Sequence, residues 1–320
     1  MRAISVTQYG GPEELKVVDA AAPEPGPGEL LVETAAIGVN FIETYQRSGI
    51  YAVPLPFTPG AEAAGRVIGV GDGVTRFSVG DRIATADAAR TYAESFVVSE
   101  QKALAVPDAI DDVTAAALPL QGITAHYLAR SVFAAGPDHT VLVHAGAGGV
   151  GLLLTQLLSA AGARVITTVG SPHKEHLSRD AGADVVLRYE GFAGAVRELT
   201  GGRGVDAVYD GVGKDTFDDS LASLAVRGML VLFGAASGPV PPVDPQRLNS
   251  GGSLLLTRPS IAHFLTTPDE RAWRSEEIFG LAASGDLTVR IGGTYSLAEA
   301  ENAHIDLQSR ATTGKLVLVP

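Results

Sequence analysis

The run VLVHAGAGGVG at residues 141–151 constrains this chain more than any other. Gly146, Gly148 and Gly151 stand at the G-x-G-x-x-G spacing, behind an apolar run of strand character and at the head of an apolar run of helical character. Each glycine answers a separate need. Gly146 permits the tight turn, Gly148 lets the backbone approach a pyrophosphate, and Gly151 lets helix and strand pack closely. Gly149 and Val150 open the helix, whose first N–H groups and positive dipole end suit phosphate. A glycine-rich turn that only packs a helix on a sheet is the competing reading. The strand on either side of the turn and helix favours a dinucleotide.

The second strand, expected at 164–168, tests which dinucleotide. An NAD site places Asp or Glu about 20 residues past the motif, on the ribose 2′-OH. Here Val169, Gly170 and Ser171 follow the strand, and no carboxylate appears before Glu175. Nothing there repels a 2′-phosphate. Ser171 before Pro172 reads as an N-cap with proline at the first helical position. Lys174 adds a cation one turn into that helix, so NADPH is the expected cofactor and Lys174 the expected 2′-phosphate ligand.

The pattern upstream differs. Residues 4–7, 15–18, 29–36, 65–70, 80–83 and 93–98 read as short strands bounded by turn residues, with one or two helical turns at 41–48. That spacing suggests a small irregular β-barrel. From about residue 112 to 260 helix and strand alternate, the signature of a parallel sheet covered on both faces. The tail, from about residue 263, predicts a helix at 269–283, a strand at 287–290, a helix at 297–308 and a strand at 315–319. It no longer resembles the parallel unit and is expected to return to the first domain. A length of 320 residues accommodates roughly two domains.

Composition narrows the chemistry. There is no cysteine, so thiolate zinc sites and a cysteine nucleophile are excluded. The net charge of -12 disfavours nucleic acid. The N-terminus has no apolar signal core, and the most apolar run, 150–161, is too short to span a bilayer. The expectation is a cytoplasmic protein.

With these features in view, the sequence resembles the zinc-independent quinone oxidoreductases, the ζ-crystallin-like group of the medium-chain dehydrogenase/reductase superfamily. The resemblance runs along nearly the whole chain. It is carried by GVNFIETYQRSGIY (38–51), PGAEAAGRVIGVG (59–71), VGDRI (79–83), LPLQGITAHY (118–127), HAGAGGVG (144–151), GADVVLRY (182–189), YDGVG (209–213), TRPS (257–260) and SRATTGKLVL (309–318). It implies an α/β fold with a GroES-like β-barrel catalytic domain, residues 1–121 and 263–320. A Rossmann domain with a doubly wound parallel sheet, residues 122–262, would be inserted there, with the cofactor in the cleft. Zinc-dependent relatives carry Cys where Asn40 stands and Gly-His-Glu where Gly60, Ala61 and Glu62 stand. No metal is expected here.

By position, the resemblance implies cofactor contacts from Asn40, Phe41, Tyr45, Thr124, Tyr127, Gly149, Val150, Gly170, Ser171, Lys174, Tyr189, Val212, Phe233, Gly234, Ala235, Ala236, Ser237, Gly238, Ser260, Ile261, Ala262 and Arg310. Tyr189 suits the adenine side and a phosphate oxygen, and Arg310 a bidentate phosphate contact. The residues alone leave both open as a core tyrosine and a surface arginine. Gln121 departs from a position that is often Lys in close relatives.

A quinone is electrophilic enough to need no strong general acid, which fits a chain with no obvious His, Cys or metal constellation. Asn40, Tyr45, Tyr51 and Thr124 are the candidates near the nicotinamide: Asn40 or Thr124 to hold the carboxamide, Tyr51 to meet the acceptor or, equally, to serve only as a turn tyrosine. His144 reads as a strand histidine. The nearest alternative activity is an NADPH-dependent alkenal or enone reductase, which requires a proton donor. A non-enzymatic, nucleotide-responsive binding protein is the other alternative. The apolar run 253–257 lies near the expected sheet edge, and a homodimer through that edge is expected.

Overall fold

The computed structural model describes residues 1–320. The chain divides into two compact units, Met1–Gln121 with Ser275–Pro320, and Gly122–Arg274.

The first unit begins with β1 (Arg2–Ser5) and β2 (Lys16–Asp19), a two-stranded antiparallel ribbon. β3 (Glu29–Val39) is the spine of the main sheet. Leu30, Val32 and Ala36 alternate inward along it, and its last residues are buried throughout. α1 (Phe41–Arg47) follows at once, and then β4 (Ala63–Val70), β5 (Arg82–Thr85), β6 (Ser95–Ser99) and β7 (Leu104–Ala105). α2 (Asp112–Ala117) is capped by the Asp111 carboxylate, which accepts from Thr114 N. Ala115, Ala116 and Ala117 are fully buried and let the helix lie close on β3 and β4.

α3 (Pro119–Tyr127) leads into the second unit: β8 (Thr140–Val143), α4 (Gly149–Ala160), β9 (Arg164–Thr168), α5 (Pro172–Asp180), β10 (Val185–Leu187), α6 (Phe192–Leu199), β11 (Val205–Asp210), α7 (Phe217–Ser223), β12 (Leu224–Leu232), α8 (Gln246–Ser250) and β13 (Leu255–Thr257). All six strands run parallel in the order β10-β9-β8-β11-β12-β13. That is a doubly wound sheet whose order reverses between β8 and β11, where such sheets bind ligands at the strand carboxyl ends. Leu142, Ile166, Val208 and Leu230 fill its core, against Phe192, Val196 and Phe217 from the helices.

The tail contains α9 (Pro268–Ser284), β14 (Ile291–Ser296), α10 (Ala300–Ser309) and β15 (Lys315–Val319). β15 pairs antiparallel with β3 and parallel with β14, so the barrel sheet reads β14-β15-β3-β4-β5-β7 with β6 on β3. Two expectations change here. The strand expected at 287–290 is absent, and β14 lies just beyond it, through Gly292 and Gly293. A Cβ on Gly292 would overlap the Thr313 carbonyl, so close strand approach, and not β propensity, decides that register. The return to the first unit falls at Ser275 and not at residue 263. The reason is local: Phe264 stacks on Tyr127 at 4.4 Å, and Arg274 bonds His126, Ser131 and the Phe264 carbonyl. No helix is long and apolar enough to cross a membrane.

Candidate active site

The phosphate loop forms where β8 ends. Ala145 turns with φ +53, a left-handed conformation unusual for alanine, and Gly146 N reaches back to the Thr168 carbonyl at 2.9 Å. Gly148 is the extended N-cap of α4. The glycines are explained by what a Cβ would meet. At Gly146 it would lie 2.6 Å from Thr167 Cβ and Ser178 Oγ, and at Gly151 it would overlap the Ala145 carbonyl. At Gly170 nothing lies within 4 Å, so space is open beside Ser171 and Lys174 at the start of α5. The N–H groups of the first turn of α4 have no partner within the helix. A pyrophosphate fits this cradle.

A buried hydrogen-bond chain holds the loop from behind. Asp210 ends β11 fully buried. Its Oδ1 accepts from Val212 N and Gly213 N at 2.8 and 2.9 Å, and its Oδ2 accepts from the Thr216 and Ser220 hydroxyls at 2.7 and 2.9 Å. Ser220 spends its proton on Asp210, so it must accept from His144 Nε2 at 2.9 Å. His144 Nδ1 then accepts from Thr168 Oγ1 at 2.7 Å. One carboxylate thereby fixes a histidine tautomer and ties the ends of β8, β9 and β11. Burial pushes the His144 pKa down, consistent with the neutral ring. Sequence reasoning missed Asp210. The signal was there: a carboxylate ending a β-rich run directly before Gly211-Val212-Gly213.

That turn meets the segment after β12. Ala236 N donates to the Gly211 carbonyl, and Ser237 N and Oγ both donate to the Val212 carbonyl at 2.8 Å. Gly234 packs on Gly211 so closely that a Cβ there would overlap the Gly211 carbonyl, and Gly238 accepts from Lys214 N. Val212 and the run Phe233, Gly234, Ala235, Ala236, Ser237 and Gly238 are thus brought together.

At the start of α5, Lys174 is half-buried and burial lowers its pKa. Glu175 beside it is engaged by two guanidiniums, Arg179 at 3.0 Å and Arg188 at 3.1 Å. Tyr189 places its hydroxyl on Ala145 N at 3.1 Å and its ring against His144. It therefore holds the phosphate loop itself. Thr124 and Tyr127 are buried, and burial pushes the Tyr127 phenol up to about 12. Ser260, Ile261 and Ala262 sit at the start of a 3-10 turn, with Ser260 and Ala262 exposed.

The first unit carries the remaining candidates. Phe41, Tyr45 and Tyr51 form a run of rings at 6.2 and 5.4 Å, with Tyr51 exposed and edge-on to Tyr45. Arg310 is exposed in the left-handed C-cap of α10. Asn40 is different. It caps α1 and is buried, with its amide turned into the unit. Its Oδ1 accepts from Lys315 Nζ at 2.5 Å, and its Nδ2 donates to Glu62 Oε2 at 2.9 Å. Lys315 Nζ also bonds Glu62 Oε2 at 2.5 Å, while Glu62 Oε1 accepts from Leu120 N at 2.7 Å. Glu43 Oε2 accepts from Asn40 N at 2.7 Å, and Glu43 Oε1 is buried without a partner. Neither Lys315 nor Glu43 was singled out from the sequence. A lysine heading the apolar run KLVLV was the available clue.

A GroES-like unit joined to a doubly wound dinucleotide unit defines the medium-chain dehydrogenase/reductases. The comparisons agree: residues 26–129 match the alcohol dehydrogenase GroES-like domain, and residues 149–276 match the zinc-binding dehydrogenase family. A quinone oxidoreductase of Pseudomonas aeruginosa is 46% identical, over 100% of this chain and 99% of that one. A mycobacterial protein solved in complex with NADPH superposes with a TM-score of 0.98 at 57% identity, over 100% of both chains. A 2-haloacrylate reductase from Burkholderia sp is 38% identical over 99% of this chain and 98% of that one. The chain belongs to the quinone oxidoreductases of the medium-chain dehydrogenase/reductase superfamily. The zinc in the matched family's description does not fit these residues. Position 61 is Ala, position 40 is Asn, and the Lys315 ammonium already lies on Asn40 Oδ1 and Glu62 Oε2.

Proposed function

We propose that this protein is a metal-independent, NADPH-dependent quinone reductase of the cytoplasm, acting as a homodimer. The observation that carries the reading is the open space at Gly170 beside Ser171 and Lys174, with no carboxylate before Glu175, itself paired with Arg179 and Arg188, behind a complete G-x-G-x-x-G loop. The relatives named as quinone oxidoreductases and the mycobacterial complex with NADPH support it.

The nicotinamide supplies the hydride, so the chain's work is binding and orientation. The first turn of α4 receives the pyrophosphate, and Tyr189 and the Asp210 chain keep that turn in place. Lys174 and Ser171 receive the 2′-phosphate, with Arg310 as a further phosphate contact. The rings of Tyr45 and Tyr51 offer a planar acceptor an aromatic surface. Asn40, Phe41, Thr124, Tyr127, Val212, residues 233–238 and residues 260–262 complete the assignment.

The test follows NADPH and NADH oxidation by absorbance, with an ortho-quinone and a 2-alkenal offered separately. Quinone-dependent loss of NADPH, with NADH much slower, is the expected result. Lys174→Glu is expected to weaken NADPH by roughly tenfold or more, the scale of one charge-assisted contact, and to leave NADH binding unchanged. Alkenal turnover without quinone turnover sinks the quinone assignment in favour of double-bond reduction, with an exposed phenol such as Tyr51 as proton donor.

A further inference from the structure

We infer that Lys315 is a positioning residue: its buried ammonium, through Glu62, holds the Asn40 amide in one of its two orientations, carbonyl inward to the cation and amide nitrogen to the carboxylate. The inference rests on the proposed placement of Asn40 at the nicotinamide.

The backbone makes the juxtaposition. β15 pairs antiparallel with β3 with Leu316 opposite Val39, which carries Lys315 opposite Asn40. Room for the third partner comes from Gly38, where a Cβ would overlap the Glu62 carboxylate. The contacts then close a triangle. Lys315 Nζ lies 2.5 Å from both Asn40 Oδ1 and Glu62 Oε2, and Asn40 Nδ2 lies 2.9 Å from the same Glu62 oxygen. Leu120 N at 2.7 Å fixes the carboxylate's other oxygen, so Glu62 cannot swing away. Glu62 is 0% exposed, Lys315 1% and Asn40 5%.

Donor and acceptor chemistry permits only one arrangement. Reversing the Asn40 amide would set its NH₂ against the ammonium, which has no acceptor, and its carbonyl against the carboxylate, which has no proton. An asparagine next to neutral partners has no such discrimination. The ammonium also withdraws electron density from the amide carbonyl, which strengthens the remaining Nδ2 proton as a donor. That proton has only the Gly38 carbonyl, at 3.4 Å, as a competing acceptor. Stability alone is a weak reason for such a group: lysine is rarely buried, and a buried ion pair often gains little over apolar residues of similar volume. What the pair does uniquely is choose a direction for the amide.

The test uses kcat, quinone KM and melting temperature on the full-length enzyme. Lys315→Met leaves a buried carboxylate without its cation, so Tm is expected to fall with kcat. That variant cannot separate the two roles, but Glu62→Gln combined with Lys315→Met can. The pair then carries no charge, and the amide installed at position 62 presents its carbonyl to Leu120 N and its NH₂ to Asn40. Asn40 must turn its carbonyl to meet that NH₂, which is the reversed orientation. The double variant is expected to regain part of the Tm lost in Lys315→Met, because no buried charge is left unpaired, while kcat stays down by roughly tenfold to a hundredfold, with quinone KM much less affected. Recovery of kcat together with Tm overturns the inference and makes the pair purely structural. Asn40→Ala reads the underlying placement separately. If its kcat matches wild type, Asn40 is not at the reacting ring, and Lys315 has nothing to position.

Discussion

Glu43 is a carboxyl group in an environment far from water. It is fully buried, and burial pushes its carboxyl up to about 8. Lys315 and the Asn40 N–H pull the other way, and the Glu62 carboxylate adds to the rise. The groups facing it are therefore Lys315, Glu62 and the Tyr92 phenol, itself raised well above its usual range by burial first and by Glu43 and Glu62 after. The sign follows from proton binding. The folded chain holds a proton on Glu43 that the unfolded chain releases near the ordinary carboxylate range. Stability from this group is whole below that range, declines as pH rises, and is gone once pH passes about 8. Glu43→Gln keeps the shape and removes the titration. Its Tm is expected to decline less than that of the wild type between pH 6 and 9, and equal slopes in thermal melts across those buffers would show that Glu43 is already ionised. None of this was legible in the sequence. Glu43 reads there as one polar position in a short helix, and only the fold reveals that it faces inward onto Asn40 N.

At the scale of elements, α4 and its entry loop were read in full because each glycine has a geometric cause that sequence spacing alone can express. Gly151 is the clearest. A Cβ there would overlap a backbone carbonyl, that of Ala145, which cannot move without moving the loop. Gly151→Ala is expected to cost about 1–3 kcal/mol of stability in urea melts and to weaken NADPH in parallel. Gly170 makes the contrast. It meets nothing within 4 Å, so Gly170→Ala is expected to leave stability unchanged and to weaken NADPH alone. An unchanged NADPH Kd for Gly170→Ala would show that the open space there is not cofactor space. β14 was missed for the opposite reason. Its Gly292 and Gly293 oppose strand propensity, and the pairing with β15 that overrides them joins segments the local pattern cannot connect. The inward face of Asn40 escaped for the same reason, since Lys315 meets it only through the pairing of β15 with β3.

For the whole molecule, the open question is what covers the edge of the doubly wound sheet. Alternating β and α segments announced a parallel sheet, and the sheet ends on β13, which has β12 on one side only. β13 is short and apolar, with Leu255 52% exposed, and Val226 on the neighbouring strand is 73% exposed. An uncovered strand of this kind presents unpaired N–H and C=O groups together with apolar side chains, which pairs readily with an identical edge on a second copy. Antiparallel pairing of two β13 strands about a two-fold axis would satisfy both sets of groups and bury Leu255 on each chain. Natural edges that stay single carry charge, most often lysine. Leu255→Lys therefore installs the missing guard. Light scattering at dilute concentration is expected to give a mass of two chains for the wild type and one for Leu255→Lys. NADPH binding should survive in the variant, because the glycine loop follows β8, which lies at the centre of the sheet and away from β13. A wild-type monomer removes the dimer. A dimeric Leu255→Lys that keeps the wild-type mass moves the interface to another surface.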